Sequence, residues 1–373
     1  MSTGGAAAAS GLFLDLGGRI AETLQRLEAA REVTVGCSAK QPVWSRGKTT
    51  LYRYLPLGAD QRAPLKPAPR VRGSRARAAP ASATPAPVLI CFALVNRPYV
   101  LDLQPDASLV RRLLEAGLAV YLIDWGEPGD ADRGRDLEDY VERSLGGCVQ
   151  HLCAALDTDA VNLLGVCQGG VLSLCYTALH PGRVRNLVTL TTAVDFQTPD
   201  DLLSHWVRGV DTELIARCGN VPGAALNALF LALMPFRLTQ QKYVRLLVSG
   251  ADQRAVEEFV RLERWIFDSP PQAAAALTQY VRWFYQENRL VRGTLEIGGR
   301  TVDLRQIRQP LLNLYAKADH IVPASACAVM GRHVGSRDYT GCEIDTGHIG
   351  MYVSRRARAQ IPARIVDWLR VHS

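Results

Sequence analysis

The segment Gly165-Val166-Cys167-Gln168-Gly169-Gly170 follows directly on the apolar run Ala160-Val161-Asn162-Leu163-Leu164. A buried strand that turns sharply into a helix lifts the residue at the turn into an active site, and glycines at −2 and +2 are required because side chains there collide within the turn. The residue at the apex is Cys167. A thiolate is a stronger nucleophile at neutral pH than an alcohol and a better leaving group, so an acyl group can be accepted as a thioester and handed on. The expected chemistry is acyl transfer rather than ester hydrolysis. The competing reading makes Cys167 one buried structural thiol among nine cysteines.

Two later segments supply partners for the thiol. The apolar run Pro310-Leu311-Leu312-Asn313-Leu314-Tyr315 predicts a buried strand that delivers Lys317-Ala318-Asp319-His320 into a turn closed by Pro323. The run Tyr339 to Ile344 predicts another, followed by Asp345-Thr346-Gly347-His348-Ile349-Gly350. Nucleophile, acid and histidine in that chain order are the arrangement of an α/β-hydrolase fold. His348, between glycines in a loop, is the expected base. Asp319 is the expected acid because it directly follows a strand, with Asp345 as the alternative. His151, His180, His205, His333 and His372 have no chemistry-bearing neighbours in sequence and are expected to be structural.

The elements that must position these residues alternate as a mostly parallel sheet requires. Thr34-Val35 and Thr50 to Tyr54 are expected to form an opening antiparallel pair. Strands are expected at Val88 to Ala93, Ala119 to Ile123, Ala160 to Leu164 and Val184 to Leu190, with a helix from Ser108 to Ala116 stopped by Gly117 and another after the elbow to Leu179. The fold class is α/β, with helices on both faces of the sheet. The alternation stops at about Asp195 and resumes after Ile307. The domain reading is an N-terminal tail and helix at 1–32, a first core part at 33–194, a helical lid at 195–307 and a second core part at 308–373. Met1 to Ser10, mostly alanine and glycine, are expected to form a loose tail.

The net charge of +7 first suggests nucleic acid, but six basic residues lie between Gln61 and Pro87, a proline-rich stretch without an acid. Without it the chain is near neutral, so 61–87 is expected to be a disordered or extended insertion and no nucleic-acid partner is expected. Irregular cysteine spacing and the lack of a basic n-region predict a reducing cytoplasm. Cys148, His151 and Cys153 fit no zinc spacing on the helix expected from Asp136 to Leu156, so no metal is expected. Within the lid, Cys218 to Phe236 carries no charge, yet Asn220, Pro222, Gly223, Asn227 and Pro235 interrupt it too often for a membrane span. It is expected to be a buried lid helix, with an acyl-chain or polymer channel as the alternative.

With these residues in place, the chain resembles the catalytic subunit of poly(3-hydroxyalkanoate) synthases, most of all the short two-subunit class III kind. The resemblance rests on the elbow and on Ala93 to Tyr99, Leu101-Asp102-Leu103, Tyr121 to Gly126, Met234 to Leu238, Trp265 to Pro270, Asp319 to Pro323 and Gly347 to Gly350. It reaches from about residue 30 to the C-terminus, and the insertion at 61–87 is not part of it. The resemblance implies polymerisation of (R)-3-hydroxyacyl-coenzyme A, with 3-hydroxybutyryl-coenzyme A the expected substrate, release of coenzyme A and no separate cofactor. It implies that His348 deprotonates Cys167, that Asp319 orients His348 or helps deprotonate the 3-hydroxyl, and that the backbone N–H groups of Val95 and Gln168 hold the oxyanion. It further implies a second, non-catalytic subunit, a homodimer or hetero-oligomer, and a place at the surface of polyester granules in the cytoplasm. A cysteine-dependent thioesterase and a catalytically silent hydrolase-fold scaffold are the alternatives.

Overall fold

The computed structural model describes residues 4–58 and 86–372, so most of the predicted insertion lies outside the described residues. Its last two residues do not behave as an insertion. Ala86 is buried and its carbonyl accepts from Asn162 Nδ2 at 2.8 Å, while the Pro87 carbonyl accepts from Asn162 N at 2.9 Å. Both lead directly into a central strand, whose neighbour takes up their carbonyls.

Among the described residues eight strands form one sheet: β1 (Lys40–Arg46), β2 (Thr49–Tyr54), β3 (Val88–Cys91), β4 (Val120–Asp124), β5 (Val161–Val166), β6 (Val184–Leu190), β7 (Leu311–Ala316) and β8 (Tyr339–Ile344). Their order is β1-β2-β4-β3-β5-β6-β7-β8. The first two pairings, β1 with β2 and β2 with β4, are antiparallel. All later ones are parallel. Strands buried on both faces carry continuous apolar runs, as in Val88-Leu89-Ile90-Cys91, where every residue is buried. Alternate side chains enter two separate cores: Leu89, Cys91 and Leu163 on one face, Val88, Ile90 and Leu164 on the other.

The opening pair is not formed by Thr34-Val35. Its first strand is Lys40–Arg46, paired with β2 across Gly47, whose φ of 57° suits a tight hairpin. The polar composition and Pro42 hid this strand, but an edge strand exposed to water tolerates both. The N-terminal stretch is likewise no loose tail: a helix, α1, runs from Gly4 to Ala29, and its alanines favour that state.

Helices α2 (Leu109–Glu115), α3 (Gly146–Ala155) and α4 (Gln168–Leu179) connect the central strands. Ser108 caps α2 by accepting from Arg111 N at 2.8 Å. Between β6 and β7 the chain forms α5 (Leu202–Val207), α6 (Thr212–Cys218), α7 (Gly223–Ala232), α8 (Lys242–Val248), α9 (Gln253–Phe267) and α10 (Ala274–Tyr280). The expected buried lid helix is α7, and it is shorter and more exposed than its charge-free sequence suggested. Only Gly223, Leu226 and Asn227 are buried along it, and beyond it Phe236 is 75% exposed. The charge-free composition serves two faces, one packed and one open. Helix α1 lies against α8 and α9, burying Ala30, Val33, Leu246 and Val256 at this contact, with Arg26 Nη1 donating to the Ala251 carbonyl at 2.7 Å.

Candidate active site

Cys167 occupies the turn between β5 and α4 with φ 53° and ψ −122°, a conformation costly for a residue with a Cβ. The surroundings enforce it. Cys167 N donates to the Leu190 carbonyl at 2.8 Å, and Gly170 N donates back to the Cys167 carbonyl at 2.9 Å. A Cβ on Gly165 falls 2.6 Å from Gly170 Cα, and one on Gly169 falls 2.1 Å from the Cys91 carbonyl oxygen. One on Gly170 falls 1.9 Å from Thr192 Oγ1. All three glycines are therefore sterically required. Cys167 is half-buried, whereas burial pushes the thiols of Cys91, Cys148, Cys153, Cys175, Cys327 and Cys342 up, that of Cys91 to about 12.

Asp319 leaves the end of β7 with its side chain fully enclosed. Oδ1 accepts from the backbone N–H groups of Ile321 and Val322, both at 2.9 Å, which leaves Oδ2 aimed at His348. His348 Nδ1 meets that oxygen at 2.7 Å. The alternative acid, Asp345, points to solvent and pairs with Arg356. Burial alone would depress the His348 pKa, but the Asp319 charge and hydrogen bond, together with a contact to Cys167, outweigh it and raise the imidazole from 6.5 to about 10. The other ring edge therefore belongs to Cys167. Cys167, His348 and Asp319 form one chain of contacts.

Of the other histidines, His180 pairs with Glu142 at 2.9 Å, His372 with Asp338 at 2.9 Å, and His151 stacks against Trp44. Among the described residues no cluster of three or more metal-ligating side chains forms, and no helix is long and apolar enough to cross a membrane.

Two cavities meet at Cys167. The larger lies between the core and α7 and is lined by Phe92, Phe230, Leu231, Trp265 and Ile266, with His348 opening into it. The smaller lies towards α5 and α10 and contains Gln168, Phe196, Tyr280, Tyr285 and Asp201. The sequence reading did not single out Asp201. Its only local signal was a helix-capping pattern with Ser204, whose N–H donates to Asp201 Oδ1 at 2.8 Å.

The loop after β3 is clamped to the helical cap that the chain forms between β6 and β7. Trp265 Nε1 donates to the Arg97 carbonyl at 2.7 Å and Gln272 Nε2 to the Leu94 carbonyl at 2.8 Å. Asp268 accepts from Arg97 Nε at 3.3 Å and from the Tyr99 hydroxyl at 3.1 Å. Asn96, at φ 61°, turns the loop sharply. The Val95 N–H, expected as an oxyanion donor, is taken up by Gln168 Oε1 at 3.3 Å. The Gln168 N–H sits at the first turn of α4, where N–H groups have no intrahelical acceptor.

Residues 86–354 match the α/β-hydrolase fold family. The chain is 44% identical over 359 residues to the poly(3-hydroxyalkanoate) polymerase subunit PhaC of Allochromatium vinosum, covering 96% of this chain and 95% of that one. It is 42% identical to the PhaC subunit of Thiocystis violacea, over 97% and 96% of the two chains. Among solved structures, a serine hydrolase from Cycloclasticus zankles superposes with a TM-score of 0.50 at 12% identity, over 88% of this chain and 98% of that one, which shows the fold alone. An eight-stranded hydrolase sheet with cysteine at its elbow, together with relatives matched over 95% or more of both chains, places the chain in the poly(3-hydroxyalkanoate) polymerase family, whose members are acyltransferases.

Proposed function

We propose that the chain polymerises (R)-3-hydroxyacyl-coenzyme A, with the 3-hydroxybutyryl thioester as substrate, through a covalent acyl-Cys167 intermediate. His348 takes the thiol proton, the thiolate adds to the thioester carbonyl, and coenzyme A leaves with the proton held by His348. A 3-hydroxyl then attacks the acyl-Cys167 carbonyl, forming the ester C–O bond and breaking the C–S bond, so that the chain grows by one unit. The observation that carries the reading is the strained Cys167 turn standing against the His348–Asp319 pair at the junction of two cavities.

Gln168 N–H and Val95 N–H are the proposed oxyanion donors. The Gln168 amide must swing off Val95 as the carbonyl arrives, which keeps the donor satisfied at rest. A donor of this kind is worth roughly 2.7–4 kcal/mol in the transition state. The apolar lining of the larger cavity favours a hydroxyl over water as acceptor, because it strips water from the acyl-enzyme. The reaction needs no cofactor beyond the coenzyme A of its substrate. The reading extends to a second, non-catalytic subunit, a homodimeric or hetero-oligomeric assembly, and work in the cytoplasm at the surface of a polyester granule.

Purified protein supplied with 3-hydroxybutyryl-coenzyme A, alone and with a candidate second subunit, tests this. Insoluble polyester with free coenzyme A is the expected product. Soluble hydroxy acid with coenzyme A makes the protein a thioesterase, and no turnover in either condition makes it a silent scaffold.

A further inference from the structure

The proposed reaction needs two proton acceptors at different moments, one for the thiol and one for a poorly acidic secondary hydroxyl. His348 opens into the larger cavity, where its Nδ1 is committed to Asp319. In the smaller cavity, on the other side of Cys167, the carboxyl is Asp201, only 3% exposed. Resting on the polymerase reading, we propose that this smaller cavity seats the attacking 3-hydroxyl and that Asp201 accepts its proton during elongation.

Several observations agree. The cavity is lined by Cys167 itself, so a hydroxyl bound there faces the acyl-Cys167 carbonyl. Val171, Phe196, Leu203 and Ile321 supply an apolar wall suited to a short methyl-bearing hydroxyacyl unit. Ser204 N donates to Asp201 Oδ1 at 2.8 Å, and among the described residues no hydrogen bond engages Oδ2. The electrostatic setting suits a base. Burial, with help from Asp200 on the same segment and Asp319 across the site, raises the Asp201 carboxyl from 3.8 to about 6, against the Ser204 N–H and Arg208, which lower it. The neighbours from other elements are Tyr285 and Cys327, both held well above their ordinary values by burial and both influenced by Asp201 and Cys167. A base whose pKa lies just below the working pH is ionised yet still able to hold a proton in the transition state.

The step balances. The hydroxyl proton moves to Asp201, its oxygen bonds to the acyl carbon, and the Cys167–acyl bond breaks with sulfur leaving as thiolate beside protonated His348. Asp201 then releases its proton to solvent. His348 delivers its own proton to departing coenzyme A in the next acylation and regains one from solvent.

Asp201→Asn keeps a good helix cap while removing the base, and Asp201→Ser does the same with a different cap. Single-turnover coenzyme A release from 3-hydroxybutyryl-coenzyme A and from butyryl-coenzyme A, which lacks the hydroxyl, measures acylation. Steady-state release from the former measures elongation. In both variants, acylation within about 2-fold of wild type, with elongation down about 10²-fold and the acid limb near pH 6 gone from its pH profile, is the expected result. Unchanged elongation with an unchanged pH profile, or equal loss of acylation and elongation in both variants, overturns the role of Asp201. Failure of the wild-type protein to acylate Cys167 overturns the polymerase reading itself and is recognised separately.

Discussion

The elbow and the cap meet at the same sulfur but are built on opposite principles. Around Cys167 the backbone is fixed by the sheet, three glycines are excluded from bearing a Cβ, and the acid's carboxylate has its orientation set by two N–H groups. In the cap, Leu202, Trp206, Val210 and Leu214 on α5, α6 and their joint, and Phe236, Tyr243, Val244 and Val248 around α8, are large apolar residues exposed on the surface. The first region holds atoms to a reaction geometry, which tolerates little error. The second offers adaptable apolar surface, suited to a substrate that lengthens at every turn.

The largest effects are expected at the rigid side. Cys167→Ala should abolish coenzyme A release, and iodoacetamide should label Cys167 ahead of the buried thiols that are held protonated. Peptide mapping checks this, and labelling elsewhere with activity retained would remove Cys167 from the mechanism.

Separating the partners of the sulfur gives the next largest effect. His348→Gln should suppress the first acylation, whereas Asp319→Asn, which acts through His348, should retain part of it and lose acylation and elongation by similar factors. Comparing single-turnover with steady-state coenzyme A release decides. A clearly larger loss of elongation than of acylation in Asp319→Asn would give Asp319 the share in deprotonating the 3-hydroxyl that the account assigns to Asp201.

Steric tests come third. Gly169→Ala should destabilise the fold by about 3 kcal/mol or more, since its Cβ meets backbone carbonyls of β3 that cannot withdraw. Phe236→Ser in the cap should stay within roughly 0.5 kcal/mol, as an exposed side chain packs against little. Urea unfolding of the two variants measures the contrast directly, and equal losses would dissolve the distinction between the regions.

A smaller effect is expected from pH. The His348 pKa is raised in the folded protein, so its contribution to stability is complete below about pH 6.5 and is lost as pH rises towards about 10. Thermal melts across this window should show wild type losing more stability than His348→Gln. Parallel curves would mean that His348 is not held protonated.

The same contrast explains how much the sequence revealed. The elbow, Asp319 and His348 were legible because strand-to-turn steps and flanking glycines leave local marks, and β8 spans the predicted residues. Strand β1 was not legible, because an edge strand lacks the apolar alternation that betrays a buried one. The clamp joining Arg97 and Tyr99 to Asp268 was invisible as a contact, although both segments stood out as motifs, because the partners are about 170 residues apart. Asp201 was hidden for a different reason: in sequence it carries only the pattern of a helix cap, and its place beside Cys167 follows from how the cap folds back.

The central claim is that Cys167 carries the growing acyl group. Mass spectrometry of the protein quenched in acid during turnover of 3-hydroxybutyryl-coenzyme A tests it most directly. The account predicts hydroxybutyryl units on the peptide containing Cys167, lost in Cys167→Ala and accumulating in Asp201→Asn. Coenzyme A release and polymer formation with that peptide unmodified, or with the acyl group on another residue, would contradict it.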